Sequence, residues 1–560
     1  MSSSKNNIMK KTFLFILITL FIGIQKNYAQ EKLNENQKLE TLCKVWGFLK
    51  YYHPIVAKGT YNWDNQLIEK IKESEKIDTK KQFNKMLSSW IESLGKVEIC
   101  TTCNQKNDKE YFLKNFDLSW TDDENIFSKD VIEKLNFIEE NRNKGENFYI
   151  EPAKMVGNAV VKNEFTYDNF PEKEKRLVEL FKYWNLIEYF FPYKYQTNQK
   201  WNDVLSEIIP KIINSKSLTD YQIALLELVT KIDDSHGFLY SENISNFFGK
   251  KYLNFVSVFV DNQLVIKKKF DNKLGINNDF KVGDIISKVN DKTMSERIEE
   301  LSKYIPASNQ SVKYRNAKRK NLIFRGDQEE IKLTIIRDGI SFEKKYKRLT
   351  NKDLVIDKNE KDSTKWNFIE NNIAYVNLEF LKTNDVNKMY NEIKNTNYLI
   401  LDLRNYPKHT AWPLSNKFLP NRMANAKNMA PDFTYPGKFI FHYDYIGKDN
   451  NDDFYKGKII VLVNETTQSQ AEYSAMMFQL NKGSKVIGSQ TAGADGNIVR
   501  LKLGNLDTSF SGLGVFYPDG RETQRIGIVP DIEVKPTIKG IKEGRDEVLE
   551  RALEYIRTGK

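Results

Sequence analysis

Ile459-Ile-Val-Leu-Val-Asn464-Glu-Thr-Thr-Gln-Ser469-Gln-Ala-Glu472 changes character twice within fourteen residues. Residues 459 to 463 are continuously apolar and rich in β-branched side chains, the composition of a strand covered on both faces. Ala471, Ala475 and Phe478 then recur at helical spacing. Ser469 is thereby predicted at the first turn of a helix, among backbone N–H groups that lack an intrahelical partner. The positive end of a helix favours negative charge on a nearby oxygen. The same residues also fit an ordinary serine N-cap, with Glu472 completing a capping box. Either way the order is buried strand, turn, helix.

Three further stretches extend the pattern. Tyr398-Leu-Ile-Leu-Asp402-Leu-Arg404-Asn405 reads as another buried strand ending in polar residues. Val486-Ile-Gly488-Ser-Gln-Thr491-Ala-Gly493-Ala-Asp-Gly496 is a short strand entering a glycine-rich loop, and Gly527-Ile-Val-Pro-Asp531 closes the series. A strand ending in Asp-Leu-Arg-Asn, a strand with Ser-x-x-Glu and helix, a Gly-x-x-Thr-x-Gly turn and a final Gly-x-x-Pro-Asp thus follow in order. With these landmarks, most of residues 365 to 535 resemble the serine peptidases of the carboxyl-terminal-processing (tail-specific) and tricorn-core family. The resemblance implies a Clp-protease/crotonase-like α/β catalytic core, a parallel-rich sheet with helices packed against it, and Ser469 as nucleophile.

The branch of the family turns on the general base. In the tail-specific branch a lysine follows the Gly-x-x-Thr-x-Gly turn; here that residue is Ala494, which cannot accept a proton. The tricorn-like branch uses a histidine preceded by serine, and Lys231-Ile-Asp-Asp-Ser235-His236-Gly supplies that pair in a chain with only four histidines. The chemistry stands without the family. A serine hydroxyl needs a base within hydrogen-bond reach, and imidazole titrates near neutral pH. His236 would take the proton of Ser469 and return it to the leaving amine.

Support for the histidine ring is assigned by the resemblance to Ser235, itself oriented by a glutamate shortly before the final motif. That position reads Gln524, which accepts a hydrogen bond without carrying charge. Glu522 is the nearby carboxylate, and strand alternation puts Glu522 and Gln524 on one face. Asp233 and Asp234 are further acids beside His236, read here as a solvated turn. For the oxyanion hole the resemblance implies the N–H of Gln470 and a glycine amide in the loop after Asp-Leu-Arg-Asn, a position that Lys408 occupies. A left-handed backbone there would cost lysine more than glycine. His409, next to it, is a substrate contact, a second-choice base or a surface histidine.

Composition bounds the rest. At 560 residues the chain is long enough for three or four domains. Lys5, Lys10 and Lys11 precede the apolar run Phe13 to Ile22, and Tyr28-Ala29-Gln30 offers a small residue for cleavage. This is the pattern of a secretory signal peptide, residues 1–30, with an apolar part too short for a comfortable span. No cysteine follows the run, so no lipoprotein anchor is indicated. The expectation is a soluble protein, secreted or periplasmic, with no stable membrane anchor after cleavage. The formal charge is +11, and the four lysines before Gln30, where there is no acid, account for four of it, leaving +7. The basic stretch Lys313 to Lys320 is read as a solvated face, and nothing else points to nucleic acid. Cys100-Thr-Thr-Cys103 has metal-ligand spacing but no second ligand pair, and a local disulfide fits an oxidising compartment. No metal or organic cofactor is implied.

The expected organisation is multidomain α/β. Leu42-Cys-Lys-Val-Trp46 through Tyr51-Tyr-His53-Pro54 matches Leu180-Phe-Lys-Tyr-Trp184 through Tyr189-Phe-Phe191-Pro192, and Trp63 matches Trp201 at the same offset. These helical repeats span 31–165, without catalytic residues, and 166–245, carrying Ser235-His236. In that register Val97-Glu98 stands for Ser235-His236, and His53 for Phe191. Short alternating strands between 246 and 352, with Val282-Gly-Asp-Ile-Ile-Ser-Lys-Val-Asn290 among them, resemble a PDZ domain, which binds peptides by adding a strand to a sheet edge. Residues 353–560 are the catalytic core. The expected partner is a peptide or protein substrate; the alternative is a non-catalytic peptide- or ligand-binding member of the same fold.

Overall fold

The computed structural model describes residues 32–103, 105, 108–319, 321–355 and 364–560. The signal-peptide stretch lies outside them. Among the described residues no helix is long and apolar enough to cross a membrane. The chain divides into two compact units, one of residues through Gln105 with Asp117–Lys144, the other of Lys106–Phe116 with Gly145–Lys560.

In the first unit, helices Glu35–Tyr52, Trp63–Ser74 and Lys80–Ser93 pack through an aromatic interior. Trp46 and Trp63 exchange hydrogen bonds, each indole N–H donating to the other's backbone carbonyl at 3.0 and 3.1 Å. Such bonds let a buried indole keep its polar N–H satisfied. His53 ends the first helix, fully buried, and burial lowers its ring to about 4. It is therefore neutral near pH 7. Cys100 and Cys103 are joined as a disulfide.

The second unit has its own helices Lys173–Phe190, Trp201–Ile213 and Leu218–Thr230. Trp184 and Trp201 exchange the same pair of bonds at 3.1 and 3.0 Å. Next comes an antiparallel sheet in which strands Ile340–Lys347, Glu330–Arg337, Ile285–Val289, Gln263–Lys269 and Phe255–Val260 lie side by side in that order. Asp338 and Gly339, both with positive φ, form a tight hairpin turn between the first two of these strands. Asp284 of the Val-Gly-Asp sequence accepts two bonds from Arg337, at 2.7 and 2.6 Å.

The carboxyl-terminal part is a six-stranded sheet ordered Trp366–Glu370, Ile373–Asn377, Tyr398–Asp402, Lys458–Val463, Lys485–Gly488, Ile532–Glu533. Only the first pair is antiparallel. The apolar run 459–463 is central, and its alternation serves two cores. Ile459, Val461 and Val463 pack toward helices Val386–Ile393, Ala411–Phe418 and Gln470–Gln479, while Ile460 and Leu462 pack toward the terminal helix Glu547–Thr558. Gly488 sits opposite Val463 with φ 140°, and a β-carbon there would lie 1.9 Å from the Val463 carbonyl oxygen. Gly488→Ala is expected to destabilise the protein by about 3 kcal/mol or more, measured by urea unfolding, because the overlap is with backbone that cannot rotate away.

Candidate active site

Ser469 stands between the central strand and helix Gln470–Gln479 with φ 56° and ψ −122°, a conformation costly for any residue with a β-carbon. Its N–H is held on two sides, by the Ala494 carbonyl at 3.0 Å and by the Glu472 carboxylate at 3.1 Å. The strained turn is thus over-determined by its neighbours. The capping-box reading of Glu472 accounts for only part of what that side chain does. Glu472 is fully buried and also accepts from the Thr491 hydroxyl at 2.5 Å, Gly493 N–H at 2.7 Å and Ala494 N–H at 3.1 Å. Burial raises its carboxyl, and these four donors oppose the rise. Gly527 makes room for the cluster, since a β-carbon there would lie 2.2 Å from the Thr491 hydroxyl oxygen. The Ser-x-x-Glu, Gly-x-x-Thr-x-Gly and Gly-x-x-Pro-Asp motifs therefore meet around one carboxylate. Glu472→Gln would turn an amide donor toward N–H groups that need acceptors, and a loss of about 2–4 kcal/mol is expected in thermal or urea unfolding.

His236 lies on a loop that touches this turn: the Gln468 amide donates to the Ser235 carbonyl at 3.4 Å. No hydrogen bond joins His236 to Ser469. The imidazole Nδ1 is 2.8 Å from the Ser511 hydroxyl, which in turn donates to Asp234 Oδ1 at 3.0 Å. With its proton given to Asp234, the hydroxyl accepts from Nδ1–H, which leaves Nε2 with its lone pair. Asp234 also accepts from Ser511 N–H at 2.6 Å and His236 N–H at 3.1 Å. Asp234 is 0 % exposed, which corrects its reading as a solvated turn. Burial alone would raise its carboxyl, but the bond and charge of His236 and the N–H of Ser511 outweigh it and hold it below the ordinary value. Asp233 is the loop's left-handed residue and accepts from Asn198 at 2.7 and 3.0 Å.

The other expected members lie elsewhere in the network. Ser235 exchanges bonds with Ser308, its hydroxyl accepting from Ser308 N–H at 2.9 Å and its N–H donating to the Ser308 hydroxyl at 2.8 Å. Ser235 thus fixes the loop's path and makes no bond to the ring. Both oxygens of Glu522 are taken, by the Tyr195 hydroxyl and the Gln196 amide at 2.8 Å each. Gln524 is 1 % exposed, and neither its amide oxygen nor its nitrogen has a hydrogen-bond partner. Ring support comes instead from Ser511 and Asp234. Ser511 was missed by sequence reasoning. Its signal is the run Thr508-Ser-Phe-Ser511, in which Thr508 donates to the Phe238 carbonyl, Ser509 to the His236 carbonyl and Ser511 to Asp234. Three hydroxyls of one buried strand end thus engage a single loop.

Gln470 opens the helix after Ser469, so its N–H is one of the first-turn donors. Lys408 forms an isolated bridge with Lys382 and has no positive φ, so lysine is unstrained there. The left-handed residue of that loop is His409, with φ 56°, whose N–H donates to the Gln470 side-chain oxygen at 3.2 Å.

Residues 372–534 match peptidase family S41. No curated protein matches the chain. Among solved structures, mature CPAF complexed with lactacystin is 12% identical with a TM-score of 0.54, covering 69% of this chain and 98% of that one. A second structure, of mature CPAF, gives 12% identity and a TM-score of 0.54, covering 69% of this chain and 97% of that one. At this identity the likeness is one of fold. The family match takes in five of the six strands of this sheet, the Ser469 turn and the Glu472 cluster, so this stretch is similar to the domain of a family of peptide hydrolases.

Proposed function

We propose that the protein is a secreted or periplasmic serine peptidase that cleaves peptide bonds with Ser469 as nucleophile and His236 as general base. The observation that carries this reading is the pairing of a strained serine at a helix start with a histidine loop, touching it through Gln468, whose ring is oriented by Ser511 and Asp234. His236 Nε2 takes the Ser469 proton as the hydroxyl oxygen attacks the scissile carbonyl. The oxyanion that forms is met by the N–H of Gln470, with the N–H of Lys408 as second donor. His236 then protonates the leaving amine, and water, deprotonated by the same ring, releases the acyl group. In this reading the two Trp-paired helical segments are copies of one unit, of which the second supplies the base, and residues 246–352 are a PDZ-like domain that presents substrate. Ser235, Glu522 and Gln524 serve as structural support.

A fluorophosphonate probe tests the nucleophile directly, since it labels only a serine activated by its surroundings. Labelling confined to Ser469 and lost in Ser469→Ala is expected. A folded protein that stays unlabelled would favour the reading of a peptide- or ligand-binding domain, for which the unpartnered Gln524 at the expected carboxylate position is the motivating observation.

A further inference from the structure

Arg525 lies in the turn just before Gly527, and its backbone is left-handed with φ 63°. Glycine meets such a turn at less cost than any residue with a β-carbon. What glycine lacks is a side chain, and that of Arg525 crosses to the segments beside His236. Its Nε donates to the Ser308 carbonyl at 3.1 Å, one terminal nitrogen to the Gln196 carbonyl, and the other to the Asn198 side-chain oxygen at 2.9 Å. Two of these acceptors belong to residues that hold the His236 loop: Ser308 exchanges bonds with Ser235, and Asn198 donates to Asp233 through both its N–H and its side-chain amide. The guanidinium also lies 3.9 Å from the Asp233 carboxylate.

The main chain of the same residue is engaged with the nucleophile side. Arg525 N–H donates to the Gly493 carbonyl at 2.8 Å, and the Arg525 carbonyl accepts from the Asn309 amide at 3.2 Å, which also donates to the Thr491 carbonyl at 2.9 Å. Gly493 is packed so closely that a β-carbon there would lie 2.7 Å from the Arg525 carbonyl carbon. Its neighbour Ala494 accepts the Ser469 N–H. Hydrogen bonds thus run from Ser235 through Ser308 and Arg525 to Gly493, and from Ala494 to Ser469. The direct contact between the two loops, from the Gln468 amide to the Ser235 carbonyl, is longer at 3.4 Å. Bonds from a guanidinium are charge-assisted and stronger than those between neutral groups.

We propose that Arg525 is a positioning residue for the reaction, one that sets the loop carrying His236 against the turn carrying Ser469. Loss of its guanidinium leaves nucleophile and base chemically intact but out of register. The inference rests on Ser469 and His236 acting as nucleophile and base. A proton transfer that needs hydrogen-bond reach slows steeply when one partner drifts by about an ångström. Arg525 makes no contact with substrate in this assignment, so substrate binding survives its loss.

The experiment uses Arg525→Gly in the full chain, since glycine suits the left-handed backbone and keeps the N–H that bonds Gly493. A fluorophosphonate reads two quantities, the fraction of chains labelled at completion and the rate at which label enters Ser469; peptide cleavage supplies kcat and KM. A complete end-point is expected, with labelling rate and kcat both lower by roughly 10- to 100-fold and KM within about twofold of the wild type. Arg525→Lys, which keeps the charge but cannot fork to three acceptors, should fall between the two. A residue that serves folding alone would lower the end-point and leave the rate per labelled chain unchanged. That result, or a raised KM with kcat unchanged, overturns the assignment and leaves the peptidase reading intact. Hydrogen exchange followed by mass spectrometry gives a readout independent of activity. In Arg525→Gly the segments 231–240 and 489–496 should both exchange faster, while the central strand 459–463 keeps its protection. If the wild type neither cleaves peptides nor takes the label, the peptidase reading falls; faster exchange in both segments then keeps the coupling through Arg525, and faster exchange in one or neither overturns it.

Discussion

Ser469→Ala is expected to lower kcat/KM for a cleavable peptide by roughly 10⁴-fold or more, His236→Ala by a similar factor, and the double variant by no more than either alone. Non-additivity is the informative part. A nucleophile and its base act in one step, so removing the second after the first removes nothing further, whereas two residues that each merely help binding would multiply their losses. The variants are otherwise mild. Ser469 holds its turn through its backbone N–H, and the His236 backbone keeps its bonds to Asp234 and Ser509 without the ring. Thermal unfolding should therefore change little while hydrolysis, followed by mass spectrometry of peptide digests, collapses. Full activity in His236→Ala would move the role of base to another residue.

Much of the core was legible because its determinants are local. The run 459–463 is apolar at every position, and it is the central strand with a hydrophobic core on each face. Ser469, Glu472, Thr491, Gly493 and Gly527 stand in motifs whose spacing survives folding, and they converge on one buried carboxylate. The support of His236 was not legible in the same way. Whether Asp234 is a solvated turn or a buried acid depends on Ser511, which lies 277 residues further along the chain. No local pattern around Asp-Asp-Ser-His carries that information. The partner of Ser235 was hidden for the same reason, since Ser308 belongs to the strand-rich segment, 73 residues away. At Lys408 the expectation of strain was displaced by one residue: the left-handed backbone falls on His409, a shift that motif counting in a loop does not resolve.

Asp234→Asn should separate orientation of the imidazole from its chemistry. The carboxylate accepts from three donors, Ser511 N–H, the Ser511 hydroxyl and His236 N–H, and a side-chain amide has one acceptor oxygen to replace two. If the amide nitrogen faces the Ser511 hydroxyl, that hydroxyl turns round and donates to Nδ1, which moves the ring proton to Nε2 and removes the base. A fall in kcat of roughly 10²- to 10⁴-fold is expected, with KM little changed, because the ring is present but carries its proton on the wrong nitrogen. Ser511→Ala should cost less, about 10- to 100-fold, since Asp234 Oδ1 already lies 3.6 Å from Nδ1 and a small ring movement restores a direct bond. The ordering is the test: a purely structural role for the pair would give parallel losses of stability and activity in both variants. Stability gives an independent readout. The Asp234 carboxyl is held below its ordinary value in the folded protein, so its contribution is present above the unfolded-state pKa, about 4, and is lost as pH falls through the lower folded value. The gap between wild type and Asp234→Asn in urea unfolding should therefore be widest near neutral pH, at about 2–4 kcal/mol, and should narrow in acid as the wild-type carboxylate takes up its proton.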